Sequence, residues 1–384
     1  MGVMQHHDAI TGTEKQHVAE DYHRAIDASI KACEENTKSA LKQLVKGSDS
    51  TLQFDFQFTS CLNLNISSCE VPESSEKFVV TVYNPLGHAS NDFVRFPISG
   101  SSYEVRDPSN VIVASQIVPI PTPLATLHYR ESLTRNELVF QASGVPAMGF
   151  KSFYVTRTAS AEIPKDGTVN LPATVGNDVI NLNFDVNGLL SSATVDGVTK
   201  EISQNFYIYK GNLNNNEIFA NRSSGAYIFR PDPLEPVNPA SPSATIEVYR
   251  GDHVTEVHQI FNDWISQVVR IYKGERVVEF EWMVGPIGIE DGVGKEIISR
   301  FMTDMKTDGV FYTDANGRQM MRRKRDFRET WDLKMEEPVA GNYYPINTNI
   351  AIEDENYRLA VLNDRAQGGS SMIDGTVELM VRKL

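Results

Sequence analysis

The order of apolar and polar positions along the chain changes character once, near residue 47. Ahead of it, Val18, Tyr22, Ile26, Ile30, Cys33, Leu41 and Leu44 recur at the spacing of one helix face. A long amphipathic helix is therefore predicted, and Gly47 offers a stop. Thr13-Glu14-Lys15-Gln16 reads as a capping box at its start, with a hydroxyl at the N-cap and an amide three residues on. A single helix cannot bury its stripe alone, so its packing partners are expected upstream or elsewhere in the protein.

After Gly47-Ser48-Asp49-Ser50 the pattern becomes short β-branched and aromatic runs separated by turn residues. Strands are expected at 77–83, 92–96, 103–106, 111–120, 137–140 and 150–156, the spacing of a β-sandwich. A polar stretch at 160–172 reads as a linker. Beyond it, residues 181–186 and 189–195 flank Asn187-Gly188, a strong hairpin signal. Further strands are expected at 205–209, 244–249, 265–272, 277–283, 310–313, 346–352 and 359–362. The fold class predicted is α+β, mostly β: a long N-terminal helix, a small β-sandwich and a large one. The expected domains are 1–47 (the end of a helical domain), 48–75 (a linker with a cysteine loop), 76–158 and 170–384.

Composition excludes some partners. A formal net charge of -14 argues against nucleic acid and anionic membrane surfaces. No apolar run approaches the roughly 18 residues of a membrane span, and no basic region precedes an apolar core as in a signal peptide. The basic run Arg322-Arg323-Lys324-Arg325 has acidic neighbours (Asp314, Asp326, Glu329) and reads as a solvated strand face. The glycines at 285, 288, 292 and 294 form no phosphate-binding pattern.

The cysteines point the other way from a cytosolic protein. Cys61 and Cys69 bracket a short loop well suited to a disulfide, and Asn65-Ile66-Ser67 inside it is an N-glycosylation sequon. Asn221-Arg222-Ser223 is a second sequon. Cys33 is left over, either as a buried thiol or as one partner of a disulfide to a residue this chain lacks.

The candidate chemistry sits at Gln5-His6-His7-Asp8, just ahead of the predicted helix. Two imidazoles and a carboxylate near a helix N-terminus suit a hydroxyl-rich or anionic ligand. Taken alone, a histidine near a helix start is most often a hydrogen-bonded structural residue, and Asp8 most simply a capping carboxylate. His6 and Asp8 could supply two metal ligands, and His17, His23 or a distant histidine a third. No Cys-x-x-Cys or His-x-x-x-His pair supports a self-contained site.

The whole stretch Gln5-His6-His7-Asp8-Ala9-Ile10-Thr11-Gly12-Thr13, followed by Gln16-His17-Val18, resembles the motif of glycoside hydrolase family 38, the class II α-mannosidases. Arg222-Ser223-Ser224-Gly225-Ala226-Tyr227-Ile228-Phe229, Phe311-Tyr312-Thr313-Asp314, Asn342-Tyr343-Tyr344-Pro345 and Gln367-Gly368-Gly369-Ser370-Ser371 resemble that family's C-terminal β region, a galactose-mutarotase-like sandwich. Tyr-Asn-Pro-Leu-Gly at 83–87 and Pro-Ala-Met-Gly-Phe at 146–150 resemble its first all-β domain. The resemblance makes His7 a ligand of Zn2+, assigns His6 no ligand role, and gives Asp8 and Tyr227 to the sugar. It implies hydrolysis of terminal non-reducing α-D-mannose on N-linked glycans.

The same resemblance places the carboxylate nucleophile and the other zinc ligands in an N-terminal catalytic α/β domain ahead of Met1, so none is named here and the chain alone is expected to be inactive. It favours the second reading of Cys33, and it admits a homodimer. Ala9 and the Cys61–Cys69 loop point to the lysosomal branch, in the lysosome or secreted. The run Val381-Arg382-Lys383-Leu384 departs from the family's usual ending, so no substrate-facing arginine is assigned to Arg382 or Lys383. Two alternatives drop the enzyme: a catalytically inactive glycan-binding β-sandwich protein, and a purely structural β module.

Overall fold

The computed structural model describes residues 2–46, 57–159, 167, 169–218, 221–225 and 227–382. The predicted Gly47 stop and most of the 160–172 linker lie outside these residues. So do Ala226, Lys383, Leu384 and the Arg382 side chain. The chain divides into two compact units, residues 1–165 with 251–253, and residues 166–250 with 254–384.

In the first unit the helical stripe forms one helix, Gln16–Lys46. Its N-terminus departs from the expected capping box. The Val18 and Ala19 amides of its first turn both bond the Lys15 carbonyl, while the Thr13 hydroxyl, outside the helix, donates to Asp8 Oδ1 at 2.8 Å. None of the helix's described side chains is fully buried: Val18, Tyr22 and Ile26 are half-buried, Leu44 is 63% exposed, and Cys33 is an exposed free thiol rather than a buried one. The helix is not long and apolar enough to cross a membrane.

The β part of this unit is a sandwich of two antiparallel sheets. One runs Lys77–Asn84, Gly149–Arg157, Tyr103–Arg106, Ile112–Val113, and the other Ser90–Ile98, Asn136–Val145, Ser115–Pro119. Phe153, Val155 and Val105 from the first meet Phe96, Ile98, Leu138 and Phe140 from the second. The single strand expected at 111–120 is broken after Val113, and its halves enter different sheets. Cys61 and Cys69 form a disulfide. The loop they close is held by the buried Arg130, whose guanidinium donates to the carbonyls of Ile66 and Ser67, each at 2.8 Å. Asn65 lies exposed on a turn of 3-10 helix, Leu64–Ile66.

The second unit is built on one large antiparallel sheet. In spatial order it runs Tyr344–Ile346, Gln367–Ser370, Thr376–Arg382, Lys295–Thr303, Val198–Lys210, Leu190–Val195, Ile180–Phe184 and Ala173–Gly176. Two four-stranded sheets cover the same face of it. Phe206, Phe184 and Ile297 pack against Val257, Ile265 and Val269 of the sheet Thr245–Tyr249, Val254–Asn262, Ile265–Tyr272, Val278–Val284. Phe301, Val377 and Leu379 pack against Phe311, Ile350 and Ile352 of the sheet Gln319–Lys324, Val310–Ala315, Asn349–Glu353, Arg358–Leu362. A buried amide ladder crosses the first of these interfaces: Gln267 donates to Gln204 at 3.0 Å and to Gln259 at 2.9 Å, and Gln204 donates to Ser299 at 3.0 Å. Such pairing is what makes these polar groups tolerable inside an apolar core.

Two expectations are corrected here. The run 346–352 is two strands, because Asp314 accepts the backbone N–H groups of Asn347, Thr348 and Asn349 and bends the chain between them. The basic run 322–325 is only half a solvated face. Arg322 and Lys324 are exposed, but Arg323 stacks 4.2 Å from the Tyr344 ring centroid and Arg325 donates to the Ser371 carbonyl.

Asp314 also accepts from Gly317 at 2.7 Å. Burial would raise its pKa, but four backbone donors outweigh that and hold it down at about 2. A carboxyl depressed in the folded state adds stability above its unfolded pKa, and that contribution is lost as pH falls through the folded value. Asp314→Ala is therefore expected to cost about 2–3 kcal/mol in urea unfolding at pH 5–7. The gap should close toward pH 2. A constant gap across that range would show that the carboxylate charge is not the source.

Candidate active site

Residues 2–13 fold as consecutive tight turns. The 3-10 turn Val3–Gln5 is closed by the His6 amide on the Val3 carbonyl. The His6 carbonyl then accepts from Ala9 and Ile10, and the Asp8 carbonyl from Thr13. Gly12 supplies the left-handed backbone this reversal requires, at φ +67°. Neighbours in sequence are thereby neighbours in space. The donor atoms of His6, His7 and Asp8 all lie within 4.8 Å of one another.

The two oxygens of Asp8 are used differently. Oδ1 accepts from the Thr13 hydroxyl, which stands 2.9 Å from that of Thr11, and Thr11 in turn donates to the His7 carbonyl. Oδ2 lies 3.3 Å from His6 Nε2 and 3.7 Å from His7 Nε2. The carboxylate is mostly covered while the His7 side chain is 81% exposed. The hydroxyls thus fix the carboxylate and leave one oxygen turned toward two imidazoles. Imidazole nitrogen is a donor type that zinc takes, and His7, the more exposed of the two imidazoles, can join ligands from elsewhere in the protein at such a site. His7 therefore fits zinc. His6, given no ligand role by the family resemblance, lies as close to Asp8 as His7 does.

Tyr227 belongs to the second unit. It stands at the tip of a turn closed by two backbone bonds, Gly225 N–H to the Ile228 carbonyl at 2.8 Å and Ile228 N–H to the Gly225 carbonyl at 3.1 Å. It is a loop residue, 69% exposed, rather than a strand tyrosine. The loop is bound internally as well: Ser224 Oγ donates to the Ile228 carbonyl, Arg230 donates to the Arg222 carbonyl and pairs with Glu337, and Asn216 donates to Ser223 Oγ. Asn221, of the second sequon, lies half-buried at the base of this loop. A cavity of about 40 Å³ beside it is lined by Tyr209, Ser224, Gly225, Phe229, Lys295 and Glu296. That volume accommodates a few water molecules and no sugar ring.

Beneath the loop lies a buried polar cluster that the hydrophobic pattern concealed. The register puts Asn205 opposite Arg300, and Arg300 opposite Glu378, on the face of the large sheet turned away from the apolar cores. Arg300 Nε donates to Glu378 Oε2 at 2.7 Å. Tyr209 and Tyr343 both donate to Glu378 Oε1, at 2.9 and 2.5 Å. Burial, reinforced by the Glu378 charge, pushes both tyrosine hydroxyls far above their ordinary range. Burial alone would pull Arg300 down, but Glu378 outweighs it and the net shift is upward.

The comparisons with known proteins cover all of these elements. The model described as glycosyl hydrolases family 38 C-terminal domain matches residues 175–384. The chain belongs to glycoside hydrolase family 38. Two further models agree: the alpha mannosidase middle domain matches residues 1–44, the stretch holding His6, His7 and Asp8, and the lysosomal alpha-mannosidase-like central domain matches residues 113–155. The lysosomal alpha-mannosidase of Homo sapiens is 44% identical over 393 residues, covering 100% of this chain and 37% of the relative. The alpha-mannosidase of Canavalia ensiformis is 37% identical over 407 residues, covering 100% and 41%. This family 38 chain thus spans little more than a third of the human relative's length. A crystal structure of an alpha-mannosidase from Enterococcus faecalis V583 matches 99% of the chain and 46% of its own, at a TM-score of 0.63 and 14% identity, a likeness of fold.

Proposed function

We propose that this chain is part of a zinc-dependent retaining α-mannosidase that releases terminal non-reducing α-D-mannose from N-linked glycans in the lysosome or after secretion. The observation that carries the reading is the convergence of His6, His7 and Asp8 donor atoms within 4.8 Å, in a stretch of a family 38 chain. His7 holds zinc together with residues outside these 384, and the carboxylate nucleophile lies outside them too. Bound there, zinc supplies a Lewis-acid hold on sugar hydroxyls.

The rest falls to this chain's own side chains. Asp8, fixed through Oδ1 by Thr13, offers Oδ2 as an acceptor for a sugar hydroxyl. Tyr227, which the family motif around it gives to the sugar, offers a further hydroxyl for hydrogen bonding. Hydrogen bonds that hold the ring favour the distortion that an oxocarbenium-like transition state requires. The Cys61–Cys69 disulfide and the sequons at Asn65 and Asn221 suit a secretory route, with glycans on both asparagines. The test compares the whole enzyme with this chain by itself on an aryl α-mannoside. The whole enzyme should lose turnover to a chelator and regain it with zinc, while the chain alone shows none. Chelator-sensitive turnover by the chain alone would overturn the placement of the nucleophile.

A further inference from the structure

We propose that Phe229, held in a slot between Tyr209 and Tyr343, is a positioning residue that sets where Tyr227 presents its hydroxyl to the sugar. The inference rests on the reading of Tyr227 given above. Phe229 meets both tyrosines edge-on, with centroids 5.6 Å from Tyr209 and 5.2 Å from Tyr343. Edge-to-face packing of this kind fixes orientation as well as distance.

The slot itself is rigid. Each tyrosine is held at its far end by a hydroxyl bond to the same carboxylate oxygen of Glu378, which is fully buried. The other oxygen of that carboxylate is taken by Arg300, whose guanidinium lies 4.6 Å from the Tyr207 ring centroid. With both carboxylate oxygens occupied, the two rings cannot separate without breaking a charged bond in the interior.

Phe229 lies one residue beyond the turn 225–228 that carries Tyr227 at its tip. The paired bonds between Gly225 and Ile228 tie Ile228, the residue between Tyr227 and Phe229, in place. The anchoring of one ring is thereby transmitted over two residues to the exposed hydroxyl. Sequence patterning gave Phe229 no reason to be more than a packed aromatic.

A double-mutant cycle on the whole enzyme tests this, with kcat and KM read on an aryl α-mannoside. Phe229→Ala should lower kcat/KM roughly tenfold. Phe229→Tyr, which keeps the ring, should restore most of it. The Tyr227→Ala and Tyr227→Ala/Phe229→Ala enzymes should be equally impaired, because the second change acts through a residue already gone. Losses that multiply would overturn the inference, as would a normal kcat/KM for Phe229→Ala beside an impaired Tyr227→Ala. A normal Tyr227→Ala enzyme would instead sink the role given to Tyr227 itself. If Phe229→Ala does not fold, Phe229→Leu carries the same cycle.

Discussion

Alanine at position 7 should lower mannoside turnover by the whole enzyme about a thousandfold and strip it of zinc. The size follows from what a Lewis acid contributes: about 4 kcal/mol of transition-state stabilisation is about three powers of ten in rate. The structure makes this substitution unusually clean. In this chain the His7 side chain is 81% exposed, so its removal leaves no cavity here, and any fall in the whole enzyme's stability should be no larger than the loss of bound zinc accounts for. Zinc content by mass spectrometry, turnover and melting temperature on one preparation decide the matter. His6→Ala is the internal control, since its Nε2 lies within 3.3 Å of the same carboxylate oxygen. If His6→Ala loses the metal and His7→Ala keeps it, the ligand is the first imidazole of the pair and not the second.

The clustering of His6, His7 and Asp8 was legible in the sequence because it is local. Residues 2–13 fold on themselves, so spacing along the chain stands in for distance. The long helix was legible as well, since a stripe of period 3.6 needs no knowledge of what covers it. The β strands were read where apolar residues alternate with exposed ones, as at 244–249, and several were missed where charged residues are buried. Val254–Asn262 carries Glu256, His258 and Gln259 inside, Lys295–Thr303 carries Glu296 and Arg300, and Thr376–Arg382 carries Glu378. A rule that sends charge to the surface places such residues in loops. Their partners are far away in sequence, His258 excepted, so no local pattern reveals that they are satisfied. The capping box failed for a related reason. The turns hold Thr13 outside the helix, its hydroxyl donating to Asp8 five residues back, and the helix begins only at Gln16.

Glu378 is where this concealed polarity should have its largest effect on stability. Glu378→Ala leaves the Arg300 guanidinium, 5% exposed, facing an empty space where its carboxylate stood. Two tyrosine hydroxyls lose their acceptor at the same time. Removing one member of a buried ion pair costs about 3–5 kcal/mol, because the remaining charge cannot be rehydrated. The urea midpoint of Glu378→Ala should therefore fall well below that of the wild type with little change in slope. The double replacement Arg300→Met/Glu378→Met should recover part of that loss, since the charge is gone while the Tyr209 and Tyr343 hydroxyls stay without their acceptor. A Glu378→Ala protein within about 1 kcal/mol of wild type would mean that water reaches Arg300, contrary to its burial. Recovery of stability in the double methionine protein without recovery of kcat/KM would separate two contributions of the cluster. Packing then supplies the folding energy, and the hydroxyl bonds to Glu378 supply the fixed slot on which Phe229, and through it Tyr227, depends.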